Sequence, residues 1–267
     1  MADEPAENIS GGVDGGGAFD EFESGEAGSR AEAVVDALGE MYWQKAYGGR
    51  DGFECLVRTI LSQNTSDKAS QPAHDSLMAR YGPAERLAES LAATDRDELA
   101  ETIASAGLYN RKSEVIQQAA EWVLTEFDST SGFDAFVAEG DPNEVRTTLL
   151  SVDGVGPKTA DCVLLFAGGR GGVFPVDTHV HRIARRMGLA SPGADHEAVR
   201  RAIEADVPPE KCGFGHTAMI QFGREYCTAR TPACLDGPEA CPLYDLCDRV
   251  GIDEIDGAVV DPANVTY

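Results

Sequence analysis

Residues 150–160 read Leu-Ser-Val-Asp-Gly-Val-Gly-Pro-Lys-Thr-Ala. The spacing predicts a helix that ends, a tight turn at Gly154-Val155-Gly156, and a second helix entered at Pro157, where a proline gives up no needed hydrogen bond. Such a hairpin points bare backbone amides outward from a helix N-terminus, which makes Gly154 and Gly156 candidate phosphate contacts. An ordinary helix-turn-helix corner would use the same glycines. Lys158 adds chemistry: it sits at the positive end of the helix dipole, and that placement together with burial favours the neutral amine. Lowering its pKa by about two units would take roughly 3 kcal/mol. A neutral amine is a nucleophile; a phosphate-binding lysine is the plainer reading.

Downstream, Pro175-Val176-Asp177-Thr178-His179 opens another predicted helix. Asp177 is well placed as its N-cap, and it is also a carboxylate at a helix mouth 19 residues beyond Lys158. His179, Arg182 and Arg186 share one helical face, opposite the apolar stripe Val176, Val180, Ile183 and Met187. That face is either solvated or a ridge that meets DNA. Residues 151–201 hold seven bases against five acids, a local excess in a chain of net charge −24.

The third signal is Cys227, Cys234, Cys241 and Cys247, separated by six, six and five residues. Four thiolates in so short a span suit a 4Fe-4S cluster or a structural zinc, and spacing alone does not choose between them. Cys55, Cys162 and Cys212 fall in helical contexts and read as small buried hydrophobes.

Around these motifs the apolar spacing is helical. Helices are predicted over 30–47, 52–62, 66–80, 84–91, 95–105, 109–127, 142–151, 157–167, 177–188, 195–206 and 215–223, punctuated by Gly and Pro clusters. The fold class is therefore all-α. Forty-six acids face 22 bases, which argues against a simple basic nucleic-acid binder. Residues 1–29 carry eight acids, no base and seven glycines and read as a disordered acidic tail; without them 38 acids still face 22 bases. An acidic coat suits a halophilic host, because at about 1 M salt the Debye length is only about 3 Å. An acidic surface for a partner is the competing reading. The longest apolar run, Cys162–Ala167, cannot span a bilayer, and the N-terminus lacks a signal-peptide pattern. An intracellular, cytoplasmic protein with no membrane contact is expected.

Hairpin lysine, Val-Asp-Thr-His and a C-terminal four-cysteine loop, in this order, resemble the helix-hairpin-helix DNA glycosylases of the endonuclease III type, over about Ala31–Arg249. With the acidic coat, the resemblance implies an archaeal, halophilic repair enzyme. It implies two helical domains flanking a DNA-binding cleft: a six-helix barrel with the hairpin over 49–170, and an iron-sulfur domain over 30–48 and 171–250, followed by a tail at 251–267. By resemblance Lys158 attacks C1′ of an oxidised pyrimidine nucleotide, Asp177 assists, and the Schiff base permits β-elimination at the resulting abasic site. The partner would be double-stranded DNA containing damaged pyrimidines or abasic sites, bound by a monomer. The loops Ser62–Asp67 and Gly107–Asn110 resemble duplex-probing elements, with Leu108 as wedge and Gln63 or Asn64 filling the space of the flipped nucleotide.

Three departures stand out. Asp153 replaces a usual proline and puts a negative charge beside the proposed phosphate site. The second cysteine interval is longer than the family's. Arg230 is the only base between the first two cysteines. A mismatch-directed glycosylase for adenine or thymine is the rival within the superfamily. Lys158 argues against it, and so does the short stretch after Cys247, where adenine enzymes carry a further domain. A non-catalytic DNA-binding module is the rival from another class.

Overall fold

The structure, a computed structural model, describes residues 25–42 and 51–265. All but the last five residues of the predicted acidic tail, and the predicted end of the first helix, lie outside these. The chain divides into two compact units, whose described parts are 51–170 and 25–42 with 171–265. The second takes α1 (Arg30–Tyr42) from early in the chain. The first holds α2 (Gly52–Ser62), α3 (Asp67–Tyr81), α4 (Leu87–Ala92), α5 (Arg96–Thr102), α6 (Tyr109–Phe127), α7 (Thr130–Glu139), α8 (Pro142–Leu149) and α9 (Pro157–Phe166). The second continues with α10 (Thr178–Met187), α11 (His196–Asp206) and α12 (Cys212–Glu225). Apart from one two-residue strand pair, the described residues are all-α.

In the first unit α2 is the axis. Phe53, Leu56, Val57, Ile60 and Leu61 are fully buried because α3, α6, α7 and α9 pack around it. Helix α7 has no counterpart among the predicted helices. Ten residues give too few turns for a clear period, and tertiary packing stabilises it instead. Phe133 meets Phe53, Trp122 and Phe127 edge-on, and Ser129 caps the helix by accepting from the Gly132 amide. Asp95, Asp141, Asp177 and Asp195 cap α5, α8, α10 and α11, so part of the acidic excess serves helix N-termini.

In the second unit α1 packs on α12, and Lys211 bridges Glu32 and Asp36 at 2.6 Å each. Of the segment expected as a tail, residues 251–265 are described and are folded. Strands β1 (Ile252–Asp253) and β2 (Ala258–Val259) pair across an Asp-Gly turn, Pro262 is buried, and Asp261 forms an ion pair with Arg185. No helix among the described residues is long and apolar enough to cross a membrane.

Candidate functional site

Helices α8 and α9 form the hairpin. Its legs are clamped by Arg146, whose Nε donates to Asp161 Oδ1 at 2.6 Å with the carboxylate buried, and Val152 and Val155 peg the turn into the core. Gly154 has φ +83°, and a Cβ there would lie 2.7 Å from Val115 Cγ1, so the turn itself demands glycine. Gly156 differs. Its φ is −94°, it is exposed, and a Cβ would touch nothing within 4 Å. The protein's own packing gives no reason for glycine here; close approach by an outside group does. The first-turn amides of α9 stand beside it, as an anion site requires.

Lys158 is the second residue of α9. It is half-buried and makes no hydrogen bond or ion pair with the described residues. Asp153, the charge expected to disturb phosphate binding, is exposed and faces Arg111 Nη2 at 3.4 Å, so the unit supplies a partial counter-charge from α6.

The two predicted probing loops lie in the same unit. Leu108, at the N-terminus of α6, has φ 49° and ψ 29° and is 63% exposed; Asn64 has φ 52° and is exposed. Left-handed backbone in non-glycine residues costs about 1–2 kcal/mol each, and an exposed leucine returns none of it by burial. Gln63 folds back instead, its Nε2 donating to Gly154 O and Thr159 Oγ1 at 3.2 Å each. The open choice between Gln63 and Asn64 thus acquires a physical difference: one side chain is tied to the hairpin, and the other stands in solvent.

Sequence reasoning passed over Lys112, which is only 4% exposed. Its Nζ donates to Leu61 O at 2.7 Å, Thr65 Oγ1 at 2.7 Å and Ala106 O at 2.9 Å, and burial lowers the amine to about 8. A lysine four residues after a wedge-like Leu, on the buried face of α6, was the available signal.

The ridge expected on α10 is corrected. Arg186 is 3% exposed, and its guanidinium donates to Thr228 O at 2.6 Å and Ala229 O at 2.7 Å. Arg182 donates to Gly223 O and Cys227 O, and half-buried His179 packs against Gly223, with burial holding its imidazole below the ordinary value. The face opposite the apolar stripe is covered by α12 and the cysteine loop, whose irregular backbone needs donors. Of the seven bases counted over 151–201, only Lys158 and Arg201 take no partner among the described residues. Asp177 does cap α10, accepting the His179 and Val180 amides at 2.8 Å, both on Oδ1; Oδ2 takes no part in the cap.

Cys227, Cys234, Cys241 and Cys247 line one small apolar pocket, walled by Met187, Phe222, Tyr226 and Pro232. Four thiols around one apolar pocket are the donor set an iron-sulfur cluster takes. Burial pushes the Cys234 thiol to about 11 and Cys247 to about 12, so these two ionise only beside a cationic group. Arg186 Nη1 lies 3.6 Å from Cys227 Sγ, and the Arg249 amide donates to Cys247 Sγ at 3.3 Å. Cys55, Cys162 and Cys212 are buried in the helical cores, as expected.

Residues 57–209 match the model of the HhH-GPD superfamily of base excision DNA repair proteins, and residues 227–247 match the iron-sulfur binding domain of endonuclease III. The chain is 30% identical over 218 residues to endonuclease III of Bacillus subtilis, covering 81% of this chain and 90% of that one. It is also 30% identical to endonuclease III of Sulfolobus acidocaldarius, over 74% of this chain and 82% of that one. Among solved structures, a trapped endonuclease III–DNA covalent intermediate is 27% identical with a TM-score of 0.66, covering 81% of this chain and 93% of that one. A thermostable thymine-DNA glycosylase, 22% identical with a TM-score of 0.67 over 82% of this chain and 96% of that one, shares the fold. With hairpin, free lysine and cysteine cavity in these positions, the chain belongs to the endonuclease III family of the HhH-GPD superfamily of base excision DNA repair proteins.

Proposed function

We propose that this DNA glycosylase and abasic-site lyase acts on oxidised pyrimidines in duplex DNA, with Lys158 as its nucleophile. The observation that carries the assignment is the state of Lys158: half-buried at the entrance of the hairpin helix, with no bond to any of the described residues. The Nζ lone pair attacks C1′ as the bond from C1′ to the base nitrogen breaks, and the base leaves with a proton. The amine gives up its protons as the sugar ring opens to the imine. Loss of a C2′ proton then expels the 3′ phosphate, and water hydrolyses the imine to return Lys158. Asp177 Oδ2, outside the helix cap, stabilises positive charge developing on the sugar. Gly156 and the α9 amides hold a backbone phosphate. Leu108 wedges the stack, and Asn64, rather than the tethered Gln63, enters the space of the extruded nucleotide.

Cys227, Cys234, Cys241 and Cys247 hold the 4Fe-4S cluster, which supplies cationic iron to bind four thiolates and fixes the loop 227–247. The acidic coat is read as salt adaptation, so activity is expected to persist at about 1 M salt, where surface charge is screened within about 3 Å. The test is borohydride reduction during reaction with a duplex containing thymine glycol. A covalent protein–DNA adduct is expected from the wild type and none from Lys158→Ala. An adduct that persists in the variant would remove Lys158 from its role.

A further inference from the structure

Lys112 stands under both loop tips whose backbones are left-handed. Leu61 lies in the last turn of α2, just before the loop bearing Asn64, Thr65 belongs to that loop, and Ala106 lies just before Gly107-Leu108. These three acceptors are 41 or more residues apart in sequence, except for Leu61 and Thr65, yet one ammonium holds them all. Thr65 Oγ1 completes the junction by donating to Ala106 O at 2.6 Å. An ammonium has three donors and no acceptor, so this environment satisfies it completely and leaves no hydrogen for a substrate. It is also buried without a carboxylate among these partners, which is a costly way to build a core and a directional way to fix two loops.

We infer that Lys112 is a positioning residue that yokes the Asn64 and Leu108 loops into one rigid probe, so that void filling and wedging occur together when a paired nucleotide is extruded. The inference rests on the proposed roles of those loops. Its consequence is selective: a loosened yoke slows extrusion of a paired nucleotide and leaves chemistry on an already unpaired sugar largely intact. A displacement of about 1 Å in a positioning contact costs on the order of 100-fold.

The test compares single-turnover rates on two probes: a duplex with thymine glycol opposite adenine, and the same duplex with a bulged abasic site that has no opposing nucleotide. Lys112→Met keeps length and apolar contact but removes every donor. It is expected to slow the paired lesion by about 30- to 100-fold and the bulged site by about threefold or less. Thr65→Val, which deletes one arm, is expected to show the same skew at about three- to tenfold. A melting curve accompanies each variant, and if Lys112→Met does not fold, Thr65→Val decides by its skew alone. Equal slowing of both probes, or of neither, overturns the inference while the wild type remains active. A wild type inert on both probes overturns the functional reading, and the inference with it.

Discussion

In the cysteine-bearing unit, Arg182, Arg186 and Arg249 direct their guanidinium groups onto carbonyls of Gly223, Cys227, Thr228, Ala229, Tyr244 and Cys247. Among the described residues of the hairpin unit, Lys158 has no partner, Gly156 has no neighbour that would meet a side chain, and Leu108 and Asn64 hold strained backbone at the surface. The arginines saturate their charge internally to hold an irregular loop, as Lys112 does for two loops of the hairpin unit; Lys158 is the contrast, its bonds left for a ligand to make. Positive residues in an acidic chain are thus informative only once their acceptors are known.

The contrast breaks most visibly at Lys158. Lys158→Ala is expected to lower glycosylase turnover on the paired lesion by about 10³-fold or more, since the variant has no amine at the hairpin position to form the covalent bond. Stability should change little, because the side chain makes no bond to lose; a large drop in melting temperature would contradict that account of the residue. Next comes Arg186→Gln. Two part-buried carbonyls, Thr228 O and Ala229 O, lose their charged donor, so a loss of about 2 kcal/mol is expected, seen by urea unfolding and by faster bleaching of the cluster absorption at about 400 nm. The slope of log K for DNA against log salt should stay as in the wild type. A slope reduced by about one would place Arg186 on a phosphate after all.

Leu108→Gly sharpens the comparison, because glycine relieves left-handed strain. A stability gain of about 1 kcal/mol is expected together with about tenfold slower action on a paired lesion. A variant both less stable and equally active would show Leu108 to be a packing residue. The smallest effect is expected at Asp153→Asn: DNA affinity should rise about two- to threefold in dilute buffer and match the wild type near 1 M salt, as screening removes the difference. Affinity unchanged at every salt concentration would mean that Arg111 already cancels the charge.

Much of this organisation was legible in the sequence. Gly154, Pro157 and Lys158 sit where the turn and helix entry were read, and the four cysteines share one cavity. Asp177 caps its helix, as a residue of that type at that place should. What was not legible depends on tertiary neighbours. His179, Arg182 and Arg186 have the spacing of a solvent ridge, and nothing local says that a second layer covers them. Lys112 looks like any helix-surface lysine until the ends of two distant loops are found above it. Helix α7 is too short to display its period, and only the aromatic cluster around Phe133 explains it. Residues 251–265 read as part of a tail because their docking depends on Arg185, an ion pair made across 76 residues.

The account turns on two lysines of one unit, Lys112 with three acceptors and Lys158 with none. Peptide mass mapping of the borohydride-reduced adduct formed on a thymine glycol duplex separates them directly. The expected result is the sugar remnant on the peptide containing Lys158 and on no other. A remnant on the Lys112 peptide, or on a third amine, would contradict the claim that an unbonded hairpin amine carries the chemistry.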